Sequence, residues 1–91
     1  KFAIDGLTAA ISAEVALDGI LINSIAPGFI DTELTREVLG KEEMNKLALL
    51  VPMQRVGNVE EIAKFVGWLA GPENSYISGQ NIAIDGGFTR V

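Results

Sequence analysis

Cysteine and histidine are both absent from this chain. Without cysteine there is no disulfide and no thiolate metal site. Without histidine the commonest general base and metal ligand is gone. Basic residues are few, seven against twelve acidic ones. The resulting charge of −5 disfavours nucleic acid or an anionic membrane as a partner, since both need a basic face. No apolar run approaches the ~20 residues of a membrane span. The charged Lys1 leads straight into an amphipathic helical pattern, which is not how a signal peptide begins. A soluble, cytoplasmic protein with no metal site is the expectation. An initiator methionine is also missing, so Lys1 is not expected to be the natural start.

What is present suits a packed fold. Of the 91 residues, 48% are hydrophobic, which argues against disorder. A chain this short hides only about 65% of its surface on folding, so one small domain, or a piece of a larger one, is expected.

In "KFAIDGLTAAISAEVALDG", Ile4, Leu7, Ile11 and Val15 recur at helical spacing, with alanines on the other faces. A helix that is apolar or small on several faces is usually buried from more than one side. Gly19 stands where a terminator belongs. "ILINSIA" (20–26) begins as a continuous aliphatic run of the kind found in parallel sheets, whose two faces are covered by helices. Residues 32–50 read as one or two helical pieces interrupted at Gly40. In "NVEEIAKFVGWLAGP", Asn58 and Glu61 form a capping box, Ile62, Phe65, Val66 and Leu69 form an apolar stripe, and Gly71-Pro72 supplies the stop. A loop, the strand "NIAID" and a Gly-Gly turn complete the order.

Two strands separated by such helices are expected to be parallel neighbours joined by a right-handed crossover. A two-stranded parallel sheet cannot close its own edges or cover both faces. The fold class is therefore α/β: the tail of a larger doubly wound parallel sheet, running helix, strand, irregular helices, helix, strand.

The first strand ends at Pro27-Gly28, and "FIDT" follows. Ligands of open parallel sheets bind beyond the carboxyl ends of the strands. Proline cannot donate to a ladder, and glycine permits positive φ or close backbone approach. A loop with a threonine hydroxyl leading into a helix suits an amide or a phosphate. The plainer reading is that Pro-Gly ends the strand and Asp31 or Thr32 caps the next helix.

Several stretches, in order, resemble the second half of a short-chain dehydrogenase/reductase: Lys-Phe-Ala opening the helix, N-x-x-x-P-G, P-G-x-x-x-T, P-x-x-R-x-G-x-x-E-E-I-A and S-G-Q-x-x-x-x-D-G-G. The likeness covers essentially all 91 residues, and "PGFIDT" with the Gly-Gly tail is similar to the 3-oxoacyl-(acyl-carrier-protein) reductase subgroup. It implies that residues 1–91 are the C-terminal part of one Rossmann-like doubly wound parallel sheet (helix, strand, lid helices, helix, strand), the C-terminal half of one such domain with the dinucleotide-binding half absent. It implies NADP or NAD as cofactor, NADP being favoured, and a ketone on a small molecule or an acyl carrier as substrate.

By the same resemblance Lys1 is catalytic and cofactor-binding: it bonds the nicotinamide ribose hydroxyls and lowers the pKa of a tyrosine that acts as general acid or base. Pro27 and Gly28 shape the wall beside the nicotinamide. The Ile30 backbone meets the carboxamide, and Thr32 meets the carboxamide or pyrophosphate. Residues 33–50 resemble a mobile lid. Arg55 and Glu61 read as architectural, as does Asn23.

The family's Gly-rich turn, serine and tyrosine have no match here, and Tyr76, Ser12 and Ser24 do not stand at their positions. The 91 residues alone are expected to be inactive. A homodimer or homotetramer is implied. Two alternatives stay open: a catalytically inactive piece serving subunit assembly, and a sugar, steroid or alcohol dehydrogenase of the same family.

Overall fold

The computed structural model describes residues 2–90; the expectation placed on Lys1 lies outside the described residues. The elements are α1 (Phe2–Val15), β1 (Ser24–Pro27), β2 (Ile30–Asp31), α2 (Glu33–Leu50), β3 (Gly57–Asn58), α3 (Val59–Ala70) and β4 (Asn81–Ile84). A 3-10 turn, Ala16–Asp18, continues α1, and another, Phe88–Arg90, follows β4. The chain divides into two compact units. One holds the residues up to Ala26 and Val66–Ile82; the other holds Pro27–Phe65 and the segment from Ala83 onward.

In the first unit, Gly19 ends the helical segment in the left-handed region (φ 75°), as a terminator should. Thr8 and Ser12 are buried, and Ile11 and Val15 are half-buried. Ile4 and Leu7 are 60% exposed.

The loop between α3 and β4 is organised by buried Asn74. Its Nδ2 donates to the carbonyls of Leu69 and Ile77, and its Oδ1 accepts from the N–H groups of Tyr76 and Ile77. Asn23 does similar work from the other side: it donates to Ile77 O and accepts from Gln80 N–H. Both amides serve backbone that would otherwise lack partners.

β1 is shorter than the apolar run suggested. Residues 20–23 stay outside the ladder, where Ile22 N–H donates to Ser78 Oγ and Ile22 O accepts from Gly79 N–H. β1 and β4 are hydrogen-bonded neighbours. Ser24 N–H donates to Gln80 O in the first unit, and Gly28 N–H donates to Ile84 O in the second, both at 2.9 Å. The partners advance in step along both strands, as in a parallel pair.

The second unit contains a short pairing that the sequence pattern did not reveal. β2 and β3 are parallel, with Ile30 opposite Gly57 and Asp31 opposite Asn58. Its buried apolar residues are Val51 and Met44. α2 is kinked at Gly40 (φ 76°, ψ 165°), where the interruption was expected.

Candidate functional site

The loop after β1 is held from behind. A β-carbon at Gly28 would come within 2.7 Å of Asp85 Cβ and 2.8 Å of Asp85 Cα. Gly28 is not among the positive-φ glycines. Glycine is needed here for the close approach of Asp85, and the expectation of a positive φ at this position is corrected. Asp85 in turn organises the tail: Oδ1 accepts from Gly87 N–H and Oδ2 from Thr89 N–H, both at 3.0 Å. The Thr89 hydroxyl first, then the Thr89 and Gly87 N–H groups, hold its carboxyl below the usual carboxylate range. The Phe29 and Phe88 rings meet edge to face with centroids 4.9 Å apart.

The next two residues are held by β3. Gly57 N–H donates to Phe29 O at 2.9 Å, and Ile30 Cδ1 lies 3.0 Å from where a β-carbon on Gly57 would stand. Ile30 thus spends its side chain on a small cavity of about 140 Å³, shared with Phe29, Val51, Met53, Ile62 and Ile84.

β3 is anchored by a three-residue knot. Asn58 Oδ1 accepts from Glu61 N–H (2.9 Å), and Glu61 Oε1 accepts from Asn58 N–H (3.0 Å). That is the capping box read from the sequence. Arg55 grips the same carboxylate with two bonds of 2.8 Å, Nη1 to Oε1 and Nη2 to Oε2. The Arg55 bond first, then the Asn58 N–H, lower the Glu61 pKa to about 2. The pair raises Arg55 above its ordinary value. Both residues are architectural, as expected.

Thr32 caps α2. Its Oγ1 accepts from Thr35 N–H at 3.0 Å and shares a 2.7 Å hydrogen bond with Thr35 Oγ1. Asp31 Oδ1 lies 3.0 Å from Arg36 Nε. Beside α2 runs an open groove of about 650 Å³, lined in part by Arg36, Lys41, Met44, Ala48 and Arg55.

Of the expected site residues, Pro27 is exposed at the end of β1, and Gly28, Ile30 and Thr32 follow on one partly buried loop within the second unit. Ser12 Oγ donates to Ala9 O, and Ser24 Oγ donates to Asn81 Oδ1, so each hydroxyl serves the fold. Tyr76 is 96% exposed. Among the described residues no cluster could hold a metal ion, and no helix is long and apolar enough to cross a membrane.

On this loop the side chains at 28–30 are absent or turned into packing, and the Thr32 hydroxyl is engaged with Thr35. Reading the sequence missed Asp85, Phe88 and Gly57 as supports. The Asp-Gly-Gly run was the available signal, because Asp side chains often bond backbone two residues on.

A family model described as enoyl-(acyl-carrier-protein) reductase matches residues 1–89. The chain is 43% identical over 89 residues to the 3-oxoacyl-(acyl-carrier-protein) reductase FabG of Pseudomonas aeruginosa, covering 96% of this chain and 35% of that protein. It is 44% identical over 90 residues to a tropinone reductase homolog of Arabidopsis thaliana, covering 98% and 33%. Among solved structures it resembles ElxO with NADP bound, at TM-score 0.89 and 35% identity over 99% of this chain and 37% of that one. It also resembles a short chain dehydrogenase family protein from Francisella tularensis, at TM-score 0.92 and 29% identity over 100% and 42%. The chain spans about a third of the length of the curated relatives it matches.

Proposed function

The chain belongs to the short-chain dehydrogenase/reductase family, and from that premise we propose that it is the C-terminal half of a single dehydrogenase domain whose dinucleotide-binding half precedes it. The whole protein reduces a ketone to a secondary alcohol at the expense of NADPH or NADH. The observation that supports this reading is the gathering of Gly28, Ile30 and Thr32 on one loop past the carboxyl end of β1, where open parallel sheets bind ligands.

When bound, the reduced nicotinamide supplies the hydride. The residues of this chain bind and orient. The Ile30 backbone meets the carboxamide, the Thr32 hydroxyl meets the carboxamide or pyrophosphate, and Pro27 and Gly28 form the wall beside the ring. Lys1 bonds the ribose hydroxyls and, as a cation, lowers the pKa of a tyrosine four positions upstream, the general acid of the reaction. Residues 33–50 close over the substrate and exclude water. The 91 residues by themselves are inactive, and the whole protein is a cytoplasmic homodimer or homotetramer.

A 3-oxoacyl thioester on acyl carrier protein is the first substrate, on the strength of the likeness to FabG. NADP is favoured over NAD because a close structural neighbour was solved with NADP bound. The comparable identity to a tropinone reductase homolog supports a second reading, a small cyclic ketone reduced by the same machinery.

The test is NADPH and NADH oxidation by the full-length protein with a 3-oxoacyl thioester and with a bicyclic ketone. Turnover of the thioester supports the first reading, and turnover of the ketone alone supports the second. No turnover of either with both cofactors overturns the proposal. Lys1→Ala should remove nearly all turnover, and undiminished activity would overturn the role given to Lys1.

A further inference from the structure

The Arg55–Glu61 pair lies on the surface and touches neither Ile30 nor Thr32 by a hydrogen bond. Yet it is tied to their loop by a short series of contacts, all within one compact unit. Glu61 is gripped by Arg55 through two bonds and accepts the N–H of Asn58. Asn58 and Gly57 are the whole of β3, and β3 pairs residue for residue with Ile30 and Asp31. Gly57 N–H also fixes Phe29 O.

A two-residue strand has little hold of its own, so its register depends on what pins its ends. Here one end is pinned by a fork-to-fork guanidinium–carboxylate contact, which fixes direction as well as distance.

From this geometry we infer that Arg55 and Glu61 are positioning residues for cofactor binding: through β3 they set the height and orientation of the Ile30 backbone beneath the nicotinamide. The inference rests on the dinucleotide reading given above. Neither residue touches the reacting atoms. Each acts by holding β3, and β3 holds the loop.

The expected signature is a change in cofactor binding without a matching change in the chemical step, because a displaced loop weakens contacts made equally in ground and transition states. In the full-length enzyme, Arg55→Ala and Glu61→Ala should each raise KM for the reduced dinucleotide about tenfold, with kcat within about twofold. KM for the carbonyl substrate should not move. The double variant should be no worse than Glu61→Ala, since that single change already removes the Arg55 contact along with the Asn58 bond. Arg55→Lys keeps the charge and loses the fork, so it should restore only part of the affinity.

Asn74→Ala is the stability control. It disrupts a buried amide in the other compact unit and should lower the melting temperature while leaving cofactor KM at the parent value.

Arg55 and Glu61 variants that melt earlier yet keep parent cofactor KM would overturn the inference. So would an Asn74→Ala protein whose cofactor KM rises as far as theirs. Should the alanine variants fail to fold, Arg55→Lys decides by the same measurement. A parent enzyme that enhances the fluorescence of neither NADPH nor NADH would overturn both this inference and the dinucleotide reading, whereas cofactor binding indifferent to residues 55 and 61 overturns the positioning role alone.

Discussion

Gly28 and Asp85 are in backbone contact: the space a β-carbon would occupy at residue 28 is already filled to within 2.8 Å by Asp85 Cα. Gly28→Ala therefore forces main chain apart and cannot be accommodated by a rotamer change. Overpacking of this kind costs about 1–3 kcal/mol. Urea unfolding of the full-length protein should show a lower midpoint at an unchanged slope. Cofactor KM should rise as well, because the loop that moves is the one assigned to the nicotinamide.

Asn58 caps α3 through its side-chain oxygen. Asn58→Ala should destabilise the protein by about 1 kcal/mol, the usual value of such a cap. Asn58→Asp keeps an acceptor at a helix N-terminus and should recover most of the loss. The same urea midpoints read both variants.

Acid should weaken the protein partly through Glu61. Its folded pKa of about 2 is below its ordinary value of 4.5, so the folded state favours the charged form. The stability it contributes is fully present above about 4.5 and is lost as pH falls toward 2. Asp85 is also shifted downward and acts with the same sign as pH falls below 3.8. Arg55→Ala removes the main cause of the Glu61 shift, so its urea midpoint should fall less steeply with acid than the parent's. Because the pair is solvent-exposed, salt should narrow that difference.

The kink in α2 should depend on residue 40. Its backbone, at φ 76° and ψ 165°, lies in a region open essentially to glycine alone. Nothing crowds a β-carbon there, so Gly40→Ala tests conformation without a packing clash. About 1–3 kcal/mol of strain is expected. If α2 is the substrate lid, KM for the carbonyl substrate should change more than KM for the cofactor.

Local features were the ones legible in the sequence. The capping box, the Gly19 terminator and the Gly40 interruption each involve residues within a few positions, so spacing and residue type suffice to find them. The pairing of Ile30–Asp31 with Gly57–Asn58 was not legible, because two-residue strands carry no periodicity and their partners are far apart in the chain. The apolar run from Ile20 announced a strand, but the ladder begins only at Ser24, since Ile22 bonds to the loop at Ser78 and Gly79 instead. In α1 the spacing of Ile4, Leu7, Ile11 and Val15 announced a helix, but not that Thr8 and Ser12 are the residues it buries. Small side chains permit closer packing than periodicity alone reveals. At the candidate site, the loop 27–32 was singled out from its residues. Its supports at Gly57, Asp85 and Phe88 were not, because they converge only in three dimensions.

The contact between residues 28 and 85 also bears on which changes the chain can survive in combination. A crowded side chain can often be relieved by trimming its neighbour, so paired substitutions trade places over generations. Here trimming Asp85 to glycine would remove its β-carbon and leave its α-carbon, still within 2.8 Å of the intruding atom. No second-site substitution at position 85 can rescue a larger residue at position 28. A suppressor screen beginning from Gly28→Ala should therefore recover reversion to glycine, or changes that move one of the two strands as a whole.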